Sequence, residues 1–160
     1  ASEMKNLNES KLKFIEETGS LMEKKGFSPI VSRILSFLLI ADTEEKSFYE
    51  IQESLNASKS AVSNGISFLL DKNFIKAITN SGDRKRYFRI NIETWIEVLK
   101  SITEEYKGYR MAIDKALELR SEKFTESNSQ LTKIRDLYQL FETKLPVILS
   151  EWETKNSSQA

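Results

Sequence analysis

The sequence predicts a mainly α-helical protein carrying one small β-hairpin. Apolar residues recur at helical spacing along most of the chain, and only five glycines and two prolines interrupt it. A single pair of β-branched and aromatic runs, Phe74 to Thr79 and Arg86 to Ile90, flanks the turn-forming cluster Asn80-Ser81-Gly82-Asp83. Beyond the hairpin, apolar positions step alternately by three and four, a pattern that suits helices packing on other helices.

The totals narrow the chemistry. The chain has 160 residues, enough for one domain or a small domain with an extension used for association. Its 24 basic and 24 acidic residues exclude a general polyanion binder but leave room for a local basic patch. Absence of cysteine excludes disulfides, thiolate chemistry and cysteine-bound zinc; absence of histidine removes the commonest general base and transition-metal ligand. We expect no cofactor and no metal. The longest apolar stretch, Ile34 to Ala41, is broken only by Ser36 and is too short to cross a bilayer. With no charged-then-apolar leader at the start, a soluble cytoplasmic protein is expected.

The elements follow in order. Phe14, Ile15, Leu21 and Met22 form a helical stripe within Leu12 to Lys25, and Gly26 stands where that helix should stop. Ser28-Pro29 is an N-cap followed by proline at the first helical position, where its missing N–H costs nothing. The helix it opens is apolar on nearly all sides and should be the buried centre. After the acidic link Asp42 to Glu45, Ser47 and Glu50 form a capping box for a short helix with Phe48, Ile51 and Leu55 inward. Asn56-Ala57 makes a tight turn, and Ser58 caps a further helix running to Asn73. Two short helices so joined are a helix-turn-helix candidate, and the hairpin after them a wing.

The last third is a pair of long helices. Ile92, Trp95, Leu99, Ile102, Tyr106, Tyr109, Ile113 and Ala116 form a heptad seam on a helix of roughly 40 Å at ~1.5 Å per residue. After a polar break from Ser121 to Ser129, Leu131, Ile134, Tyr138, Phe141, Leu145, Ile148 and Trp152 repeat the spacing, and Pro146 should kink this helix near Glu142. We therefore assign residues 28–90 to a winged helix-turn-helix domain and 10–26 with 91–153 to a helical dimerisation region. Residues 1–9 and 154–160 are expected to be disordered tails. The dimerisation residues are Phe14, Leu21, Trp95, Leu99, Ile102, Tyr106, Tyr109, Ile113, Tyr138, Phe141, Leu145, Ile148 and Trp152.

The helix opened by Ser58 has two unlike faces. At ~100° per residue, Val62, Ile66 and Leu69 share one side, while Ser60, Ser63, Asn64 and Ser67 lie opposite, with Lys59 in the first turn. Solvated helix faces usually carry Glu and Lys. Short hydrogen-bonding side chains instead let the backbone approach a surface closely, holding phosphates and reaching base edges. Gly65, a poor helix former, suits close packing or approach. From Ser58 to Ile90 seven basic residues face two acidic ones, a net +5 in a neutral chain, and Arg84-Lys85-Arg86 stand at the hairpin tip. Such a tip can enter a minor groove or clamp the backbone, although edge charges also guard against aggregation. Ser58, Lys59, Ser60, Ser63, Asn64, Ser67, Arg84, Lys85 and Arg86 are the candidate DNA-binding residues.

Several segments carry a family resemblance: Phe14-Ile15-Glu16-Glu17, Ser32-Arg33-Ile34-Leu35, Ala57-Ser58-Lys59-Ser60-Ala61-Val62-Ser63 and Gly82-Asp83-Arg84-Lys85-Arg86-Tyr87-Phe88-Arg89. With the order of elements, these make residues 10 to 153 resemble the MarR-type winged-helix regulators, and within them the GbsR-like subgroup. The resemblance implies a homodimeric transcriptional regulator. Its recognition helices would enter successive major grooves of double-stranded DNA, and its wings the flanking minor grooves. It further implies that Asp83 sets the wing for Arg84 and Arg86 to reach DNA, and that cysteine-based redox sensing is closed to this chain. GbsR-type regulators include sensors of quaternary-ammonium compounds, and Trp95, Tyr106, Tyr109, Tyr138 and Trp152 are the aromatics that could form a cation–π cage. All five sit at seam positions, where an aromatic is ordinarily core, so a small-molecule effector stays without an identity. Catalysis finds no support: the pairs Glu16-Glu17, Glu44-Glu45 and Glu104-Glu105 point about 100° apart on a helix, and no phosphate loop or ligand cluster occurs. The alternative to DNA is a winged-helix module that binds protein.

Overall fold

The computed structural model describes residues 7–158, in two compact units that meet in sequence at Trp95 and Ile96. The elements are α1 (Glu9–Glu23), α2 (Pro29–Ile40), β1 (Lys46–Ser47), α3 (Phe48–Ser54), α4 (Lys59–Asp71), β2 (Ile75–Thr79), β3 (Arg86–Ile90), α5 (Ile92–Leu119) and α6 (Thr125–Ser157).

In the first unit, α2 is the hub. Pro29 occupies its first turn, and Val31, Ile34, Leu35, Phe37 and Leu38 are buried. The two serines within this apolar helix are buried without penalty, because their hydroxyls donate to carbonyls one turn back, Ser32 to Ser28 at 3.0 Å and Ser36 to Ser32 at 2.7 Å. Helix α1 lies on α2 through Ile15 and through Gly19, where the stem of Arg33 crosses. Arg33 grips Glu16 with two parallel bonds of 3.1 and 2.9 Å and also pairs with Glu23, so one guanidinium fastens α1 to α2. Residues 10–26 thus pack with the winged-helix elements, although the sequence grouped them with the dimerisation helices.

The sheet has the order β1-β3-β2, antiparallel throughout, with Ile75 opposite Ile90 and Thr79 opposite Arg86. Strand β1 is a correction to the sequence reading, which passed directly from an acidic link to a capping box. Its Lys46 pairs with Phe88 and is buried, its ammonium held by Asp42 and Glu50. The capping box follows at once: Ser47 N–H donates to Glu50 at 2.8 Å and Glu50 N–H to Ser47 at 3.3 Å.

The second unit is a helical hairpin made of α5 beyond Trp95 and α6. Lys100 pairs with Glu153 at 2.6 Å, Arg110 with Glu142, and Arg120 donates to Asn128 at 2.8 Å, so the two helices run antiparallel. Two boundaries differ from expectation. The break after α5 closes by Phe124, and α6 passes unbroken through Pro146 to Ser157, so residues 154–157, expected to be tail, are helical. Residues 1–6 and 159–160 of the expected tails lie outside the described residues. Among the described residues no helix is long and apolar enough to cross a membrane.

Candidate nucleic-acid interface

The helix-turn-helix is built by local chemistry. Helix α3 ends at Ser54 with Leu55 as its C-cap, and Asn56 turns the chain with φ 48°. Ser58 then caps α4, accepting from the Ala61 N–H at 3.2 Å. Ser58 was expected to face DNA; its oxygen is engaged as a cap and lies 3.3 Å from the Ser60 hydroxyl. Helix α4 buries Val62, Ile66 and Leu69 and exposes Lys59, Ser60, Ser63, Asn64 and Ser67. Gly65 is buried on α2, where a Cβ would come within 2.6 Å of the Ile34 side chain. The glycine lets α4 sit low on the hub, leaving the polar face free to make an approach of its own.

The wing is held from its base. Asp83 accepts from the Lys85 N–H at 2.9 Å and from the Tyr87 hydroxyl at 2.7 Å, and Gly82 takes φ 82° at the bend. The Tyr87 hydroxyl and the Lys85 N–H hold the Asp83 carboxyl below its usual range, and Asp83 in turn pushes the Tyr87 phenol up. Asp83 is thus a fixed anion at the base, and Arg84, Lys85 and Arg86 are all exposed beyond it.

Not all of the +5 is available. Lys72 pairs with Asp71 at 3.4 Å and Lys76 with Glu93 at 2.8 Å. Among the described residues Lys59, Arg84, Lys85 and Arg86 enter no ion pair, and Arg86 lies over the Phe88 ring at 5.6 Å. Arg89 enters none either but is half-buried, so the exposed free cations are those at the start of α4 and the tip of the wing. A groove of about 780 Å³ runs between Ser47 to Glu50 and Lys85 to Phe88, and Tyr49 stands 59% exposed on its rim. Tyr49 is not among the residues expected from the sequence. Its signal was there: the capping box with Phe48 and Ile51 inward leaves position 49 outward.

The residues expected at a dimer seam divide. Trp95 packs against the core of the first unit. Phe14 is half-buried and Leu21 is 61% exposed. In the second unit Ile102, Tyr106, Ile113, Tyr138 and Leu145 are half-buried, whereas Leu99, Tyr109, Phe141, Ile148 and Trp152 remain exposed. Tyr106 packs on Tyr138 and Phe141, and Tyr109 on Tyr138, with centroids 5.3–5.7 Å apart. These rings fill one another's faces.

Comparison with known proteins agrees with this layout. No family model matches the chain. The HTH-type transcriptional regulator MmpR5 of Mycobacterium tuberculosis is 32% identical over 79 residues, 49% of this chain and 48% of that protein. The chain therefore spans about half the length of that curated relative. A solved structure described as a transcriptional regulator superposes with TM-score 0.66 over 91% of this chain and 99% of the other, at 23% identity. The chain has the winged-helix fold. A winged helix carries many functions, so what this one does must be argued from its own surface.

Proposed function

We propose that the protein is a sequence-specific, double-stranded DNA-binding transcriptional regulator of MarR type, acting as a homodimer in the cytoplasm and not as an enzyme. One observation carries the reading: within a single unit, an exposed helix face of Ser60, Ser63, Asn64 and Ser67 accompanies a wing tip with three cations in no ion pair. Asp83 lies at the wing base and Glu45 bonds Asn80, but among the described residues neither forms an ion pair with a tip cation as Glu93 does with Lys76. In the reading, α4 enters the major groove, where Ser and Asn read base edges, and the wing follows the backbone into the minor groove. Affinity comes chiefly from Lys59, Arg84, Lys85 and Arg86, and specificity from the small polar side chains.

The homodimer rests on the second unit. At ~100° per residue Ile134, Leu137, Phe141 and Ile148 lie within about 60° of one another on α6. Each is at least 40% exposed, a large apolar stripe for a chain of this size. A second copy offering the same stripe covers it with closed symmetry. We assign no effector. A module that binds protein has no use for a cationic tip beside a small polar face.

Salt-dependent binding tests the proposal. Replacing Arg84, Lys85 and Arg86 together by Gln should lower affinity for random duplex DNA ten- to a hundredfold at low salt. It should also flatten the slope of log K against log salt by roughly 0.9 for each phosphate that the wing no longer neutralises. If affinity and slope survive the triple substitution, the wing does not touch DNA. Selecting bound sequences from a random duplex pool should return a palindrome whose half-sites lie about one helical turn apart.

A further inference from the structure

The C-terminal end of α4 is fastened to the first turn of α5 by bonds that belong neither to the DNA-facing surface nor to the exposed stripe of α6. Helix α4 ends in a left-handed turn: Asn73 has φ 58°, its N–H reaches Leu70 at 3.0 Å, and the Phe74 N–H reaches Leu69 at 2.9 Å. That turn satisfies α4's own carbonyls but leaves those of Asn73 and Phe74 in need of donors. Both donors come from the start of α5. The Asn91 N–H donates to Phe74 at 2.9 Å, and the Thr94 hydroxyl donates to Asn73 at 2.7 Å. The same hydroxyl oxygen accepts from the Asn91 side-chain amide at 2.9 Å, so its donor and an acceptor lobe are both used. Lys76 and Glu93 tie β2 to this turn from outside.

Thr94 is 7% exposed, so water cannot stand in for its hydroxyl. Asn91 Oδ1 and Trp95 Nε1 already lie buried without a hydrogen-bond partner among the described residues, and losing the Thr94 hydroxyl would add an unpaired Asn73 carbonyl to them. A residue that only filled space here would be valine, which has the shape of threonine and no hydroxyl.

We propose that Thr94 is a positioning residue for DNA reading, fixing the end of the recognition helix to the first turn of α5, the helix that continues into the hairpin proposed to dimerise. This rests on the reading of the protein as a dimeric DNA binder. The dimer interface sets where α5 begins, the Thr94 hydroxyl hands that placement to Asn73, and α4 presents its polar face at one separation from its twin. Loss of the hydroxyl loosens the separation, not the surface that meets DNA.

The test uses the full chain with Thr94→Val, Thr94→Ser and Asn91→Ala, and duplexes selected by the wild-type protein. Thr94→Val should bind the selected duplex about tenfold more weakly and random duplex as before, with the salt slope unchanged. Its preference for the selected half-site spacing over spacings one base pair longer or shorter should shrink severalfold. Thr94→Ser, which keeps the hydroxyl, should restore both, and Asn91→Ala should weaken selected binding about threefold. Amide exchange in DNA-free protein reads the fastening without any DNA: the Asn91 amide should exchange at least tenfold faster in Thr94→Val, with Ile34 unchanged. Equal losses on selected and random duplex, an undiminished spacing preference, or an unaltered Asn91 amide would each overturn the proposal. A wild-type protein that prefers no duplex overturns the DNA-reading function instead, and the exchange result then stands on its own.

Discussion

The two units use the same apolar periodicity to different ends. In the first, helices and strands of differing direction converge, and Ile34, Ile51, Val62, Leu69 and Ile75 are sealed among them. In the second, two helices lie side by side and α6 buries no residue at all. A hairpin can hide only the stripe between its helices, so a helix with a broader apolar face keeps the remainder on display. Leu131, Tyr138 and Leu145 take the inner stripe of α6, Ile134, Leu137 and Ile148 the outer, and Phe141, packed on Tyr106 yet 40% exposed, borders both. On the proposed reading, the first unit meets DNA through polar and cationic groups, and the second meets another copy through its apolar face.

The harshest way to break that contrast is to charge the outer stripe. Leu137→Glu with Ile148→Glu changes side chains 52% and 57% exposed that lie outside the Tyr106–Tyr138–Phe141 cluster, so the hairpin should keep its fold by circular dichroism. Sedimentation should show a monomer at micromolar concentration. Affinity for a duplex with two half-sites should fall a hundredfold or more, since the second recognition helix is no longer tethered. An intact dimer would place the interface elsewhere.

What the sequence showed and hid follows the same division. Signals confined to a few neighbouring residues were legible: the Ser47–Glu50 box, the Ser58 cap, Pro29 at a first turn, and a wing whose strands the turn cluster delimits. The exposure of Lys59, Ser60, Ser63, Asn64 and Ser67 was legible too, because burial of Val62, Ile66 and Leu69 fixes what the opposite face exposes. Strand β1 was not, since two residues have no periodicity and are a strand only because β3 lies alongside. Lys46 was hidden for the same reason: its burial depends on Asp42 and Glu50 converging on it. The heptads showed that α5 and α6 pack, but not which positions face which neighbour. A repeat of seven is blind to whether the covering helix belongs to the same chain, and so Trp95 joined the first core unannounced.

Glycines sharpen the comparison with a smaller effect. Both Gly65 in α4 and Gly108 in α5 sit in helix interiors, where alanine is favoured by up to ~1 kcal/mol. A Cβ on Gly65 would press within 2.6 Å of Ile34, itself fully buried, whereas nothing lies within 4 Å of one on Gly108. Overpacking costs about 1–3 kcal/mol. Gly65→Ala should therefore destabilise by roughly 1 kcal/mol net, and Gly108→Ala should stabilise by up to about 1 kcal/mol. Urea unfolding of each variant checks the signs; equal signs would mean that the two helices pack alike.

The smallest effect concerns the clamp between α1 and α2. Hydrogen bonds from Arg33, assisted by its charge, hold the Glu16 carboxyl below its usual range. A carboxyl depressed by folding contributes stability that is present above its unfolded pKa, ~4.3, and is lost as pH falls through the lower folded value. Glu16 is 64% exposed, so screening limits the pair to about 0.5–1 kcal/mol. Arg33→Met keeps the stem against Gly19 and removes the charge. Once pH has fallen below its lowered folded value Glu16 is protonated in either protein, so the pair no longer separates them. The variant should be less stable than wild type at pH ~7, and the gap should narrow steadily below pH ~4.5. A gap independent of pH would show that Arg33 holds α1 by packing alone, and that the first unit closes on apolar packing as completely as its core suggests.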